Sequence, residues 1–213
     1  MSVLAAPKSA GPGRPKDMEK RAAILEAAKA LFVKQGFEGT SMDAIANKAG
    51  VSKLTVYSHY RDKESLFAEA VRSKCETLMP EELFHTDFKG PLRKQLLAIA
   101  RAFFSLITSD DAIAIHRTIV ANAASAPKLA ELFWQAGPLR VQDGLEEFLR
   151  AEVAAGKLDI DDLHRAAAQF FCLLKGECHA RMECGCGERP TAREIEEHLG
   201  ATVDFFLRAY APR

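Results

Sequence analysis

Residues 36–66 read GFEGTSMDAIANKAGVSKLTVYSHYRDKESL, and the spacing of glycines and small capping residues in this stretch decides the fold. Gly36 is the C′ glycine at which a helix from about Asp17 to Gln35 must stop, because Ile24, Ala28, Leu31 and Phe32 lay one apolar stripe along it. Thr40 or Ser41 then caps a short second helix, Asp43 sits favourably in its first turn, and Gly50 ends it. Ser52 caps a third helix at once, so only Gly50, Val51 and Ser52 turn the chain between the two. Asp62 caps a fourth helix through about Leu78, which buries Leu66, Phe67, Ala70 and Val71. Helices as short as the second and third are not stable alone, so a core of Phe32, Phe37, Ile45, Ala46, Val51 and Val56 must hold them. Their outer faces are left for a ligand.

Two short helices on a tight turn, packed by a longer first helix, form a tri-helical helix-turn-helix. Lys53, Thr55, Tyr57, Ser58 and His59 on the third helix mix cationic, hydroxyl and aromatic groups, which suits base edges and phosphates in a major groove. The charge distribution agrees: 13 Lys/Arg stand against 9 Asp/Glu through Met79, in a chain whose 29 basic and 29 acidic residues balance overall. A basic first third on an acidic remainder fits a polyanion-binding head on a body that stays off the polyanion.

Beyond Pro80, spacings of three and four continue and no convincing period-2 run appears, so the chain reads as all-α with about nine helices. The polar stretch Glu81–Pro91 separates the head from a helix on which Leu92, Leu96, Ala100, Phe103 and Ile107 share a face. Further helices follow from about Asp111 to Ala124, from Ala126 to Ala155 with an interruption at Gly137-Pro138, from Asp161 to Glu183, and from Thr191 to Tyr210. Thr191 with Glu194 makes a capping box for the last of them. The expected organisation is a flexible basic arm over 1–16, the helix-turn-helix domain over 17–79, and a larger helical domain over 80–213.

The motif Gly36-Phe37, Thr40-Ser41-Met42-Asp43-Ala44-Ile45-Ala46, Ala49-Gly50-Val51-Ser52-Lys53, Thr55-Val56-Tyr57, Tyr60 and Asp62-Lys63-Glu64-Ser65-Leu66 resembles the N-terminal domain of the TetR regulator family. The resemblance covers the first third of the chain; the remainder is similar in helix count, order and length. It implies phosphate contacts at Thr40 and Ser41, base reading at Lys53, Leu54 and Thr55, and backbone contacts at Tyr57, His59 and Lys63. Leu54 stands where the family often has a small residue or proline. Independently, a Lys donates to guanine acceptors and a Thr methyl meets a thymine methyl. Tyr57 and Tyr60 are alternatively core aromatics, and Lys63 a solvated charge. Gly13-Arg14-Pro15-Lys16 resembles an arm that places an Arg such as Arg14 in the minor groove, or it is a basic tail adding nonspecific attraction.

The same resemblance implies a homodimer whose last two helices pair into a four-helix bundle, with Leu163, Phe170, Leu174, Ile195, Leu199, Val203, Phe206 and Tyr210 at the interface. It implies a palindromic operator in double-stranded DNA, repression, and release by a small, mainly apolar effector. Phe103, Phe104, Ile107, His116, Ile119, Phe133, Trp134, Phe171 and Lys175 are the residues that can line the effector cavity or simply form core. Cys172, Cys178, Cys184 and Cys186 with His179 offer an alternative, a metal- or thiol-responsive regulator, although their spacing matches no zinc pattern. The odd number of late cysteines predicts no structural disulfide. No nucleophile elbow, P-loop or HExxH is present, so neither catalysis nor a cofactor is expected. With no apolar run near the roughly 18 residues a bilayer requires and no secretory signal, the expected location is the cytoplasm.

Overall fold

The computed structural model describes residues 13–85, 90–186 and 188–212. Within them the chain is all-helical, with ten α-helices and one 3-10 turn: α1 (Gly13–Gln35), α2 (Met42–Ala49), α3 (Lys53–His59), α4 (Lys63–Leu78), the turn Glu81–Phe84, α5 (Leu92–Ile107), α6 (Asp110–Ala121), α7 (Pro127–Ala136), α8 (Pro138–Ala154), α9 (Leu163–Cys184) and α10 (Ala192–Ala209). Two compact units share the chain, the first ending at Phe67 and the second beginning at Ala68. The sequence pattern put the division at Pro80; packing puts it inside α4, where Leu66 and Phe67 belong to the head.

The first unit follows its punctuation closely. Ser41 caps α2 by accepting from the Ala44 amide at 3.1 Å, and Gly50 ends that helix at φ 67, a conformation that carries no penalty for glycine. Ser52 caps α3 by accepting from the Thr55 amide at 3.1 Å, and the Asp62 carboxylate accepts from Ser65 N at 2.7 Å at the start of α4. Phe32, Phe37 and Phe67 pack as a trio with ring centroids 5.3 to 5.9 Å apart, beside Ile24, Ala28, Ile45 and Val56, which have no exposed surface. One expectation fails at the N-terminus. The helix begins at Gly13 rather than Asp17, so residues 13–16 are its first turn and not part of a flexible arm. Pro15 is no obstacle there, because amides of a first turn have no intrahelical acceptor to lose. Residues 1–12 lie outside the described residues.

In the second unit, α5, α8, α9 and α10 enclose one core built on Leu96, Ile99, Phe103, Phe104, Leu145, Phe148, Leu149, Phe170, Leu174, Leu199, Val203 and Phe206. Two exposed ion pairs tie α5 to α10, Arg93 to Asp204 at 2.6 Å and Arg101 to Glu196 at 2.6 Å. The interrupted segment Ala126–Ala155 is two helices, α7 and α8, which part at the expected Gly137-Pro138 break. α6 ends at Ala121 instead of Ala124 because Asn122 caps it, its amide donating to Ile119 and Thr118. The capping box at the start of α10 forms as its sequence requires: the Glu194 amide donates to Thr191 Oγ1 at 3.3 Å, and the Thr191 amide donates to Glu194 Oε2 at 2.8 Å.

α9 carries a kink that its apolar periodicity does not announce. Gly176 adopts φ 51, ψ −162, a region closed to side-chain-bearing residues. His198 of α10 fills the notch, its Nε2 donating to the Leu174 carbonyl at 2.8 Å, which supplies a partner for an acceptor freed at the break. A Cβ on residue 176 would meet His198 Cε1 at 3.0 Å as well as the backbone strain. Gly176→Ala is therefore expected to lower stability by about 1–3 kcal/mol. Urea unfolding checks this; an unchanged midpoint would mean that α9 straightens without loss.

Candidate nucleic-acid interface

α3 has seven residues and one fully buried side chain, Val56, with Tyr60 just beyond its end at 5% exposure. These anchors orient the helix and turn the intervening residues outward. Leu54 is 83% exposed and Tyr57 is 46% exposed, large apolar surfaces that serve no core on this chain. Lys53 opens the helix and Thr55 lies half-buried one turn in, its hydroxyl 2.8 Å from that of Ser52. Ser41 is exposed at the start of α2; its oxygen caps the helix while its O–H remains able to donate. A small surface thus carries a cation, hydroxyls, an aliphatic side chain and a phenol, the set needed to meet phosphates, base acceptors and thymine methyls.

Three residues assigned to DNA contact have other partners. Thr40 is 2% exposed, and its hydroxyl donates to the Gly36 carbonyl at 2.7 Å. It closes an orphan acceptor at the end of α1, and a hydroxyl donating inward cannot donate to a phosphate. The His59 side chain is 9% exposed and turned toward α1, with Nε2 3.3 Å from Asp17 Oδ1. Little of its surface is left for a phosphate. Lys63 is half-buried, donating to the Phe37 carbonyl at 2.8 Å with its ammonium 4.2 Å above the Phe37 ring, so it braces the loop after α1 with N–H groups to spare. The Arg14 side chain lies outside the described residues.

Sequence reading missed Asp43. It was assigned only to the helix dipole, yet both of its carboxylate oxygens stand 2.9 Å from Lys53 Nζ. The signal was available: both residues belong to first turns, in helices joined by a three-residue turn.

In the second unit most of the residues assigned to effector binding are packed into the core. Phe103, Phe104, Ile119 and Phe171 are at most 8% exposed, with the Phe103 and Phe171 rings 4.3 Å apart, and Ile107 packs against the same core. Trp134 is 51% exposed. A cleft of about 260 Å³ is lined by other residues, among them Ile113, Arg117, Met182 and Arg189. Arg117 there donates to the Met182 and Glu183 carbonyls at 2.6 and 2.7 Å, closing the end of α9. His116 does find polar company: its Nδ1 is 2.8 Å from Glu183 Oε1, which also stands 3.7 Å from Nε2 of the buried His179. Burial holds the His179 imidazole below its ordinary pKa of 6.5, aided by Lys175 and His116 and opposed by Glu183 and the Ile107 carbonyl.

The assigned dimer face is also corrected. Phe170, Leu174, Leu199, Val203 and Phe206 are at most 1% exposed inside their own chain's core, and Leu163, Ile195 and Tyr210 pack on that core half-buried. The apolar surface left over on α9 and α10 is Leu173, 40% exposed, and Phe205, 54% exposed, bordering a cleft of about 430 Å³ with Gln169, Cys172 and Tyr210. The cysteines do not gather: among the described residues no group of three or more His, Cys, Asp or Glu side chains is placed to hold a metal ion. No described helix is long and apolar enough to cross a membrane.

A capped helix-turn-helix whose second helix presents a cation and exposed apolar groups defines a helix-turn-helix DNA-binding protein. Two family models match the chain, the bacterial regulatory proteins of the tetR family over residues 24–70 and the C-terminal domain of AefR-like transcriptional repressors over residues 94–212. The transcriptional regulatory protein RaaS of Mycobacterium tuberculosis is 30% identical over 163 residues, 76% of this chain and 71% of that one. The activator FasR of Mycolicibacterium smegmatis is 33% identical over 96 residues, 45% of this chain and only 43% of FasR. Among solved structures, the flavonoid-responsive regulator FrrA superposes with a TM-score of 0.74 at 36% identity, over 92% of this chain and 99% of its own. A TetR-family regulator of Mesorhizobium loti superposes with a TM-score of 0.79 at 29% identity, over 92% and 98%. The chain belongs to the TetR family of DNA-binding transcriptional regulators.

The lowered His179 pKa makes a prediction with a definite sign. Below 6.5 the unfolded chain takes up a proton that the folded imidazole refuses, so this contribution to stability is complete above 6.5 and falls as pH drops toward the folded value. Urea midpoints at about pH 7.5 and about pH 5.5 should differ less in His179→Gln than in the wild type. An equal loss in both would locate the titration elsewhere.

Proposed function

We propose that the protein is a cytoplasmic homodimeric repressor that binds an imperfect palindrome and leaves it when a small, mainly apolar effector occupies the second unit. The observation that carries the DNA part is the division of α3, with Val56 buried and Lys53, Leu54 and Tyr57 outward. Lys53 donates to guanine acceptors, Leu54 and Thr55 meet base edges and methyl groups, and Ser41, Tyr57 and Lys63 hold the phosphates. Leu54 supports this reading strongly, because 83% exposure of a leucine is unfavourable in water and resolved by contact with thymine methyls.

Dimerisation is supported by the unpartnered apolar pair Leu173 and Phe205, on the last two long helices, where an isologous contact buries each protomer's patch against the other's. Two heads held at fixed spacing then read half-sites about one helical turn or more apart. Repression is supported by the match of residues 94–212 to AefR-like repressors. For the effector, the polar group of His116, His179 and Glu183, with the Phe133 ring 6.2 Å from that of His116, suits a ring compound with a hydrogen-bonding edge, and FrrA is flavonoid-responsive. Such a ligand releases DNA only by binding the state with wrongly spaced heads more tightly, by roughly 1–3 kcal/mol. The metal- or thiol-responsive alternative has no comparable support.

Selection of bound fragments from random DNA should return an inverted repeat. On the recovered duplex, Lys53→Ala should cost about 1–3 kcal/mol and relax the preference at one step of each half-site. Unchanged affinity and preference would remove Lys53 from the base contacts. Phe205→Glu should give a monomer in sedimentation or light scattering and lose operator binding while retaining its helical signal; a dimeric variant would place the interface on another face.

A further inference from the structure

Lys53 is the only Lys or Arg in α3, and it is not free: Asp43 of α2, ten positions earlier, straddles its ammonium with both carboxylate oxygens at 2.9 Å. The pair contributes little to the fold. Both side chains are more than half exposed, at 57% and 59%, where an ion pair is screened and its members lose side-chain freedom. Nor does α2 depend on Asp43 for its cap, since Ser41 already accepts from the Ala44 amide. What remains is a negative charge kept against a residue assigned to read bases, on a surface whose ligand is a polyanion.

A lysine ammonium is a compact point charge on a flexible stem, and beside a duplex it finds phosphate oxygens as readily as base edges. A phosphate contact adds affinity for every sequence equally; only a base contact discriminates. Asp43 alters that competition in two ways. Its charge cancels the pull between Lys53 and the phosphates, and its two oxygens fix where the ammonium stands while leaving N–H capacity for a guanine O6 or N7. The hydrogen bond and charge of Asp43 raise the Lys53 pKa further above its ordinary value, a sign of the same attraction. We infer that Asp43 is a positioning residue for DNA specificity, holding Lys53 to the base edges and away from the phosphate backbone. The inference rests on the reading of Lys53 as a base contact.

The test repeats the selection from random DNA with the full-length wild type, Lys53→Ala, Asp43→Asn and Asp43→Glu, and measures affinity for the wild-type-selected duplex and for a random-sequence duplex over a range of salt. Asp43→Asn is expected to bind the random duplex about 3- to 10-fold more tightly, to steepen the salt dependence by about one counterion, and to lose base preference at the same step that Lys53→Ala loses. Asp43→Glu, which keeps the charge, is expected to restore that preference. Circular dichroism and thermal midpoints run alongside, because a misfolded head loses affinity for every duplex, the opposite of the expected gain. If Asp43→Asn keeps the preference that Lys53→Ala loses, the inference fails and the reading of Lys53 stands. If Asp43→Asn loses preference at a different step, Asp43 contacts a base itself and the inference fails. If Lys53→Ala changes no preference, the base-reading role and the inference fall together.

Discussion

A seven-residue helix does not hold its shape in water, so α3 depends on the side chains that pin its inner face to the rest of the head. Val56 is buried completely against α1 and α2, and the Phe32, Phe37 and Phe67 trio fixes those helices in turn. Because the anchors take one side of the helix, Lys53, Leu54 and Tyr57 have no alternative but the outside. The polar groups at the helix ends are settled locally, by Ser41, Ser52 and Asp62, and none of the caps draws on the outward face except through hydroxyls that can also donate. Rigidity of the head and availability of its surface are therefore consequences of the same packing.

The legibility of this chain divides along the same line. Caps and glycine stops are local: Gly50 needs its left-handed conformation wherever the helix goes, and Thr191 with Glu194 closes a box within four residues. Those features were readable from the sequence, as was the break at Gly137-Pro138. The Gly176 kink was not, because what stabilises it is His198, supplied by another helix. Nothing in the sequence around Gly176 separates it from an ordinary helical glycine. Its real role appears only when the two helices are side by side.

Thr40 and His59 show the same limit within the candidate interface. A short polar residue before a helix and an imidazole on a recognition helix both suit phosphate contact by chemistry. Their partners, the Gly36 carbonyl just beyond α1 and Asp17 within it, take precedence over chemical suitability. Leu54 is the converse case. Its departure from the small residue common in the family gave no basis for prediction, yet at 83% it is the most exposed large apolar side chain among the described residues.

The expected dimer face is instructive, because five of its eight residues are buried in their own chain. Periodicity identifies the apolar side of a helix without saying whether the partner is in the same chain, and α9 and α10 bury their strongest stripes internally. The discriminating signal lies in adjacency. Residues i and i+1 of a helix are about 100° apart, so Phe205 cannot share the inward direction of Phe206, and Leu173 cannot share that of Leu174. Each pair divides into one core side chain, at most 1% exposed, and one left facing solvent at 54% and 40%. Consecutive large apolar residues on an amphipathic helix thus mark a second apolar direction, and two long helices carrying one each have a surface that folding of the single chain does not cover.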